Sequence, residues 1–125
     1  MSLKKTQAWK WFSKYVRKKA ADFQGYAACF TCGVVKPWQE LEAGHYIHAR
    51  LGTFFDEMNV NPQCTRCNKW LHGNLGEYEN RLLKKYGENE LNKMKMRAQI
   101  KRKVFSDLEL KVMSKDYKQK FETII

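Results

Sequence analysis

Residues 29–72 read CFTCGVVKPWQELEAGHYIHARLGTFFDEMNVNPQCTRCNKWLH. Two C-x-x-C pairs bracket the stretch, Cys29-Phe30-Thr31-Cys32 and Cys64-Thr65-Arg66-Cys67. Four sulfurs complete the tetrahedral shell of a zinc ion, and a two-residue spacer lets one tight turn present both sulfurs of a pair. Gly33 follows the first pair, where a knuckle turn often needs the backbone freedom of glycine. The competing reading is a pair of disulfides, which a reducing compartment disfavours. We therefore expect Cys29, Cys32, Cys64 and Cys67 to hold one structural zinc. With all four places taken by sulfur, that ion has no open position, and any catalytic metal must bind elsewhere.

Working outward, the residues between the pairs change period. Leu41, Ala43, His45 and Ile47 alternate with Glu42, Gly44 and Tyr46, which predicts a short strand. Residues 48–57 contain Gly52 and the pair Asp56-Glu57 and read as a loop. A second short strand is expected over Met58–Gln63, with Pro62 marking its end. A helix is expected to begin near Asn68 and run to Leu71 or beyond, with Gly73 and Gly76 as punctuation.

Both flanks read as helical. Trp9, Phe12, Val16, Ala20 and Phe23 make one apolar stripe in a helix from about Thr6 to Phe23, ended by Gly25. Tyr78, Leu82 and Tyr86 form a second stripe, stopped by Gly87, and another helix is expected from Asn89 through Val104. Ser106-Asp107-Leu108-Glu109 has the form of a capping box and opens a last helix carrying Leu110, Met113, Tyr117, Phe121 and Ile124. The expected fold class is α+β. It is mostly helical, one domain over 1–125: a basic N-terminal helix (1–25), a zinc-stapled core (26–75) and C-terminal helices (76–125).

The chain has 125 residues, 43% hydrophobic and 30% charged, a globular balance. It has no apolar run long enough to span a membrane and no secretory signal, so a cytoplasmic location is expected. The net charge of +11 is unevenly placed. Residues 1–25 carry +6, residues 26–75 are neutral, and residues 76–125 carry +5. Basic flanks around a neutral centre point to a polyanion, with nucleic acid as the default partner. The candidate contacts are Lys10, Lys14, Arg17, Lys18, Lys19, Arg50, Arg66 and Lys69. A solvated helix face that serves only solubility is the alternative.

Between and just after the cysteine pairs lie His45, His48, Asn59, Asn61, Asn68, His72 and Asn74. Phosphodiester hydrolysis needs an activated water, a metal on the phosphate and charge relief at the leaving oxygen. Neutral histidine is a competent general base near pH 7, and an asparagine oxygen is a suitable hard ligand for magnesium. Asn68 and His72 stand four apart, so on a helix they share one face and both can point at one ion.

At these residues a resemblance enters. "GHYIHA", "NVNPQCTRCN" and the enclosing pairs resemble the zinc-containing branch of the HNH (His-Me finger, ββα-metal) nucleases. The resemblance implies that His45 is the general base, that Asn59 is the middle asparagine bracing the loop or orienting the histidine, and that Asn68 binds a catalytic magnesium or manganese ion. "WFSKYVRKKAADFQGYAACFTCG", "AGHYIHAR" and "HGNLGEYENRLLKKYG" extend the likeness to the NinG/Rap family of lambdoid phages, recombination endonucleases that resolve Holliday junctions. The layout is also similar to phage endonuclease VII. A phage or prophage-encoded protein acting on branched DNA, as a homodimer, is what this implies. Many HNH enzymes carry aspartate before the first histidine, where this chain has Gly44. The second metal ligand is then His72, His48 or Glu42, or there is none. A zinc-knuckle nucleic-acid-binding module without catalysis, a decayed HNH domain with a regulatory role, and a structure-nonspecific nicking nuclease are the other readings.

Overall fold

The structure, a computed structural model, describes residues 2–48, 52–100 and 105–124. It opens on helix α1 (Leu3–Lys19), which begins at Ser2, whose hydroxyl accepts from the Lys5 amide at 3.2 Å. Ala8, Phe12 and Val16 are its buried face. It starts earlier and ends earlier than the stripe predicts. The Asp22 carboxylate accepts from the Gln24 and Tyr26 amides and builds a turn in which Gly25 has φ +86. That competing local hydrogen bonding ends the helix, so Ala20 and Phe23 leave the stripe and Phe23 is 93% exposed.

A small hairpin that the periodicity did not predict follows, β1 (Tyr26–Ala28) with β2 (Val35–Pro37). The first cysteine pair forms its turn. Next come a 3₁₀ turn (Trp38–Glu40) and the central hairpin, β3 (Glu42–His45) antiparallel to β4 (Val60–Gln63). β3 is shorter than the alternation implies because the Asn59 side chain takes both backbone groups of Ile47: its Oδ1 accepts from the amide at 2.7 Å and its Nδ2 donates to the carbonyl at 3.0 Å. Pro62 lies inside β4 rather than closing it, paired opposite Ala43. An edge strand of a two-stranded sheet accommodates the missing N–H, while the Pro62 carbonyl accepts from the Phe30 amide at 2.7 Å.

The helix expected near Asn68 is a π-helical turn, Arg66–Trp70, with the Leu71 amide reaching the Arg66 carbonyl at 2.8 Å. Helices α2 (Leu75–Tyr86), α3 (Glu88–Gln99) and α4 (Asp107–Glu122) complete the chain. α2 carries the Tyr78, Leu82, Tyr86 stripe and stops at Gly87 (φ +85). α3 ends at Gln99, and the rest of the predicted helix, 101–104, lies outside the described residues. α4 opens on the predicted capping box, both reciprocal hydrogen bonds present, and Ile124 falls beyond its end.

The hairpin meets two cores, one through side chains and one through a backbone carbonyl. Val60 packs with Phe12 and Val16 of α1, joined at the edge by Ala43, Trp9, Phe55 and Tyr117 of α4. Tyr117 meets Phe12 edge to face at 4.9 Å, so the last helix closes over the first. Tyr78, Leu82, Leu91 and Met94 of α2 and α3 form a second cluster, and Tyr78 donates to the Gly44 carbonyl at 2.8 Å. Burying each such side chain stabilises by about 2 kcal/mol. Both sets of helices are thereby locked onto β3–β4, which holds His45 at one end and leads into Cys64 at the other. No described helix is long and apolar enough to cross a membrane.

Candidate active site

The four cysteine sulfurs lie within 4.8 Å of one another, with Cys32 and Cys64 Sγ 3.7 Å apart. A disulfide is about 2.05 Å long, whereas two sulfurs each about 2.3 Å from one tetrahedral ion stand roughly 3.8 Å apart. The arrangement is thus that of a metal site, consistent with structural zinc. Gly33 has φ +83 and closes the first knuckle by donating to the Cys29 carbonyl at 2.9 Å. Cys29, Cys64 and Cys67 are buried and Cys32 is exposed. Burial pushes the Cys32 and Cys64 thiols up. At Cys29 hydrogen bonds, led by that of Thr31, outweigh burial and hold it at about 6, while Cys32 is pushed up to about 12. Four crowded thiols cannot all ionise without a compensating cation, which a divalent ion supplies.

At the other end of β3, His45 is sandwiched. Its ring stacks on Trp9 of α1 at 5.0 Å and 15°, and meets Phe54 at 4.9 Å. Its Nε2 is 3.0 Å from the Phe54 carbonyl oxygen. A carbonyl only accepts, so Nε2 carries the proton and Nδ1 holds the ring's lone pair. Burial, first of all, lowers the pKa of this imidazole below its ordinary value; the charges of His48 and Lys5 act the same way, against the Phe54 carbonyl. His45 is therefore neutral at pH 7.

Asn59 is fully buried and does not line the site. Besides its two bonds to Ile47, its Nδ2 donates to the Thr53 carbonyl at 3.1 Å. That fixes the peptide next to Phe54, whose own carbonyl holds His45. Of the two roles open to Asn59, loop bracing is the one its contacts fit.

His45, His48, Asn68 and His72 line one cleft of about 470 Å³, floored by Ala43 and Gly73. Asn68 Nδ2 donates to Glu42 at 2.8 Å, which turns its Oδ1 toward Gly44. Glu42 also accepts from Thr65 at 2.7 Å and pairs with Lys69 at 3.6 Å. Burial alone would raise the pKa of Glu42, but these donors, led by Asn68, hold it below the usual carboxylate value. His72 reaches the cleft from a turn rather than from a continued helix. His72 (φ +51), Gly73 (φ +94) and Asn74 (φ +49) are successive left-handed residues. Such backbone strain persists where the surroundings enforce it, and here the Gly73 amide is held by the Cys67 carbonyl at 2.9 Å. Asn74 stands at the start of α2 and donates to Cys67 Sγ at 3.7 Å. Gly44 admits no side chain: a Cβ there would collide with Gln63 Oε1 and lie 2.9 Å from Asn68 Oδ1.

The expected cations divide. Lys10 and Lys14 lie over Trp11, and Lys18 over Phe121 of α4. Arg17 does not present a free cation as expected. It is half-buried, donating to the Ser13 and Leu41 carbonyls at 3.1 and 3.2 Å and stacking on Trp38. It braces the 3₁₀ turn. Lys19 pairs with Glu57 at 2.8 Å, and Lys69 with Glu42 as above. Arg66 is exposed, and Arg50 lies outside the described residues. Sequence reasoning missed Trp9, Phe54 and Lys5, which set the ring and protonation of His45, and Gln63, buried behind Gly44. Trp9 looks like any other core residue of an amphipathic stripe, and no local signal marks its stacking role.

Among curated proteins the chain is similar to the ninG protein of Salmonella phage P22, 28% identical over 120 residues, which cover 94% of this chain and 56% of that one. It is likewise similar to the ninG protein of Escherichia phage lambda, at 27% over 120 residues, 94% and 55% of the two chains. That of Escherichia phage 933W is 30% identical over 90 residues, 70% and 42%. The chain thus spans about half the length of the curated relatives it matches. No solved structure matches it. A family model described as Bacteriophage Lambda NinG protein matches residues 2–124, through both cysteine pairs and the cleft, and the chain belongs to the NinG family.

Proposed function

We propose that the chain is a metal-dependent DNA endonuclease of the HNH class that cleaves branched recombination intermediates such as Holliday junctions. The observation that carries this reading is the convergence of a neutral His45 with Asn68 and His72 on one cleft, beside a hairpin stapled by four cysteines. A pure binding module needs no such set. β3, β4 and the π-helical turn supply the two strands and the helical segment of a ββα-metal motif.

His45 Nδ1 takes a proton from the attacking water, while the Phe54 carbonyl keeps the other ring nitrogen protonated and the ring oriented. Trp9 and Phe54 exclude bulk water from the imidazole and keep it neutral. Asn68 Oδ1 would hold the catalytic divalent ion, with His72 as a further candidate from the same cleft. A bound magnesium or manganese ion supplies Lewis-acid polarisation of the phosphate and charge relief at the leaving oxygen. Lys10, Lys14 and Lys18 contact backbone phosphates without reading bases. Paired cuts on a symmetric junction call for two copies of the chain.

The test compares a synthetic four-way junction with a linear duplex of the same sequence, in magnesium and in manganese, for wild type and His45→Ala. We expect wild type to cut the junction and His45→Ala to bind it but cut at least ~100-fold more slowly, the usual loss with a general base. Equal cutting of both substrates would leave a structure-nonspecific nicking nuclease. Binding without cutting in either metal would leave the zinc-knuckle binding module.

A further inference from the structure

Gln63 is a fully buried glutamine with half of its amide unused. Its Nε2 donates to Thr31 Oγ1 at 3.1 Å and to the Gly73 carbonyl at 2.9 Å. A carbonyl cannot donate, so the amide cannot be flipped, and Oε1 must face the other way. There it has no hydrogen-bond partner. A buried oxygen left unpaired costs about 1–3 kcal/mol, and in a native fold such an atom calls for an explanation.

What Oε1 faces is Gly44. The point where a Cβ of residue 44 would stand is closer than 3.0 Å to both Gln63 Oε1 and Asn68 Oδ1. Asn68 Oδ1 is likewise turned there because its nitrogen is committed to Glu42. Glu42 and Gln63 are direct register partners across β3–β4, so this side of the hairpin gathers a carboxylate and two amide oxygens around the glycine. Two acceptors turned toward one point, one of them buried and unpaired, are a cation's surroundings, since hard divalent ions take amide and carboxylate oxygens. Glu42, already held by Thr65, Asn68 and Lys69, orients Asn68 from behind.

We propose that Gln63 Oε1 is the second protein oxygen for the catalytic divalent ion, reaching past Gly44 to share that ion with Asn68. The proposal rests on the metal-dependent reading above. Gly44 is then part of the site because its lack of a side chain lets the two oxygens approach one point. Gln63 also ties that site to the zinc knuckle, through Thr31 beside Cys32, and to the strained His72-Gly73-Asn74 turn.

The test is manganese binding by the zinc-loaded protein, read from the free-ion electron paramagnetic resonance signal, without DNA or turnover. Zinc content and melting temperature serve as folding controls. We expect one saturable site in wild type, at least tenfold weaker in Gln63→Met, and at least tenfold tighter in Gln63→Glu, which keeps the shape and adds charge. Asn68→Ala should abolish it. If both Gln63 variants bind within twofold of wild type while Asn68→Ala loses the ion, Gln63 is no ligand and the metal reading stands. If wild type shows no saturable site, both fall. Should Gln63→Met fail to hold zinc, Gln63→Glu alone decides by the same tenfold criterion.

Discussion

The two ends of the β3–β4 hairpin are built on different principles. At the Cys64 end, four sulfurs from two short turns converge within 4.8 Å, and all the needed chemistry lies in those four side chains. At the His45 end no one element supplies the arrangement. The imidazole is positioned by Trp9 from α1 and by the ring and carbonyl of Phe54 in the following loop, where Asn59 holds the neighbouring Thr53 carbonyl. One end is a four-sulfur cluster built from two local turns, the other a packing arrangement that exists only after three elements meet. Loss of a ligand at the first should therefore be all-or-none, while damage at the second should be graded.

The sharpest way to break the comparison is at the sulfur cluster. Cys64→Ser, or removal of the metal with a strong chelator, should abolish zinc content and cooperative unfolding together, since structural zinc contributes on the order of 10 kcal/mol to folding. Elemental analysis beside a thermal melt reads both. Retained zinc in Cys64→Ser would show that four sulfurs are not all required.

A smaller loss is expected at Asn59. Asn59→Ala leaves the Ile47 amide, the Ile47 carbonyl and the Thr53 carbonyl without their partner. It should destabilise by about 3 kcal/mol or more and lower the melting temperature by roughly 10 °C, with zinc retained. A variant as stable as wild type would remove Asn59 from the support of His45.

The pH dependence tests the same end more finely. A base works only when neutral, and His45 has its pKa held below the ordinary value of about 6.5, chiefly by burial. The acid limb of the cleavage profile should therefore lie below pH 6.5, with rate lost as pH falls through the lowered value. Trp9→Ala exposes the ring, so its pKa rises and the limb moves up toward 6.5. A limb that does not move would mean that burial by Trp9 does not set the protonation of His45.

The smallest effect on the fold, and a distinct one on binding, is expected from Lys10→Ala, Lys14→Ala and Lys18→Ala combined. Each phosphate contact contributes about 0.9 to the slope of log affinity against log salt, so the triple variant should lower that slope by about 3. Melting temperature should fall only slightly, for the lost contacts with Trp11 and Phe121, and zinc content should not change. An unchanged slope would place the DNA on another face.

The sequence alone specified the two cysteine knuckles, because ligand type and spacing are local properties: each C-x-x-C pair specifies its own turn. It also determined the capping box of α4, the stripe of α2 and the end of α2 at Gly87, where a few adjacent residues settle the conformation. The convergence of His45, Asn68 and His72 was legible as a set of candidates in order, not as a cleft. The assembled fold decided that Trp9, 36 positions before His45, is its stacking partner, because a stripe of apolar residues records burial and not what is buried against it. It likewise decided that Arg17 braces a turn, that α1 stops where the Asp22 carboxylate captures the Gln24 and Tyr26 amides, and that Gln63 fills the space beside Gly44. These depend on backbone groups and side chains brought together across long stretches of chain, and no local pattern encodes which of the available partners a polar atom will meet.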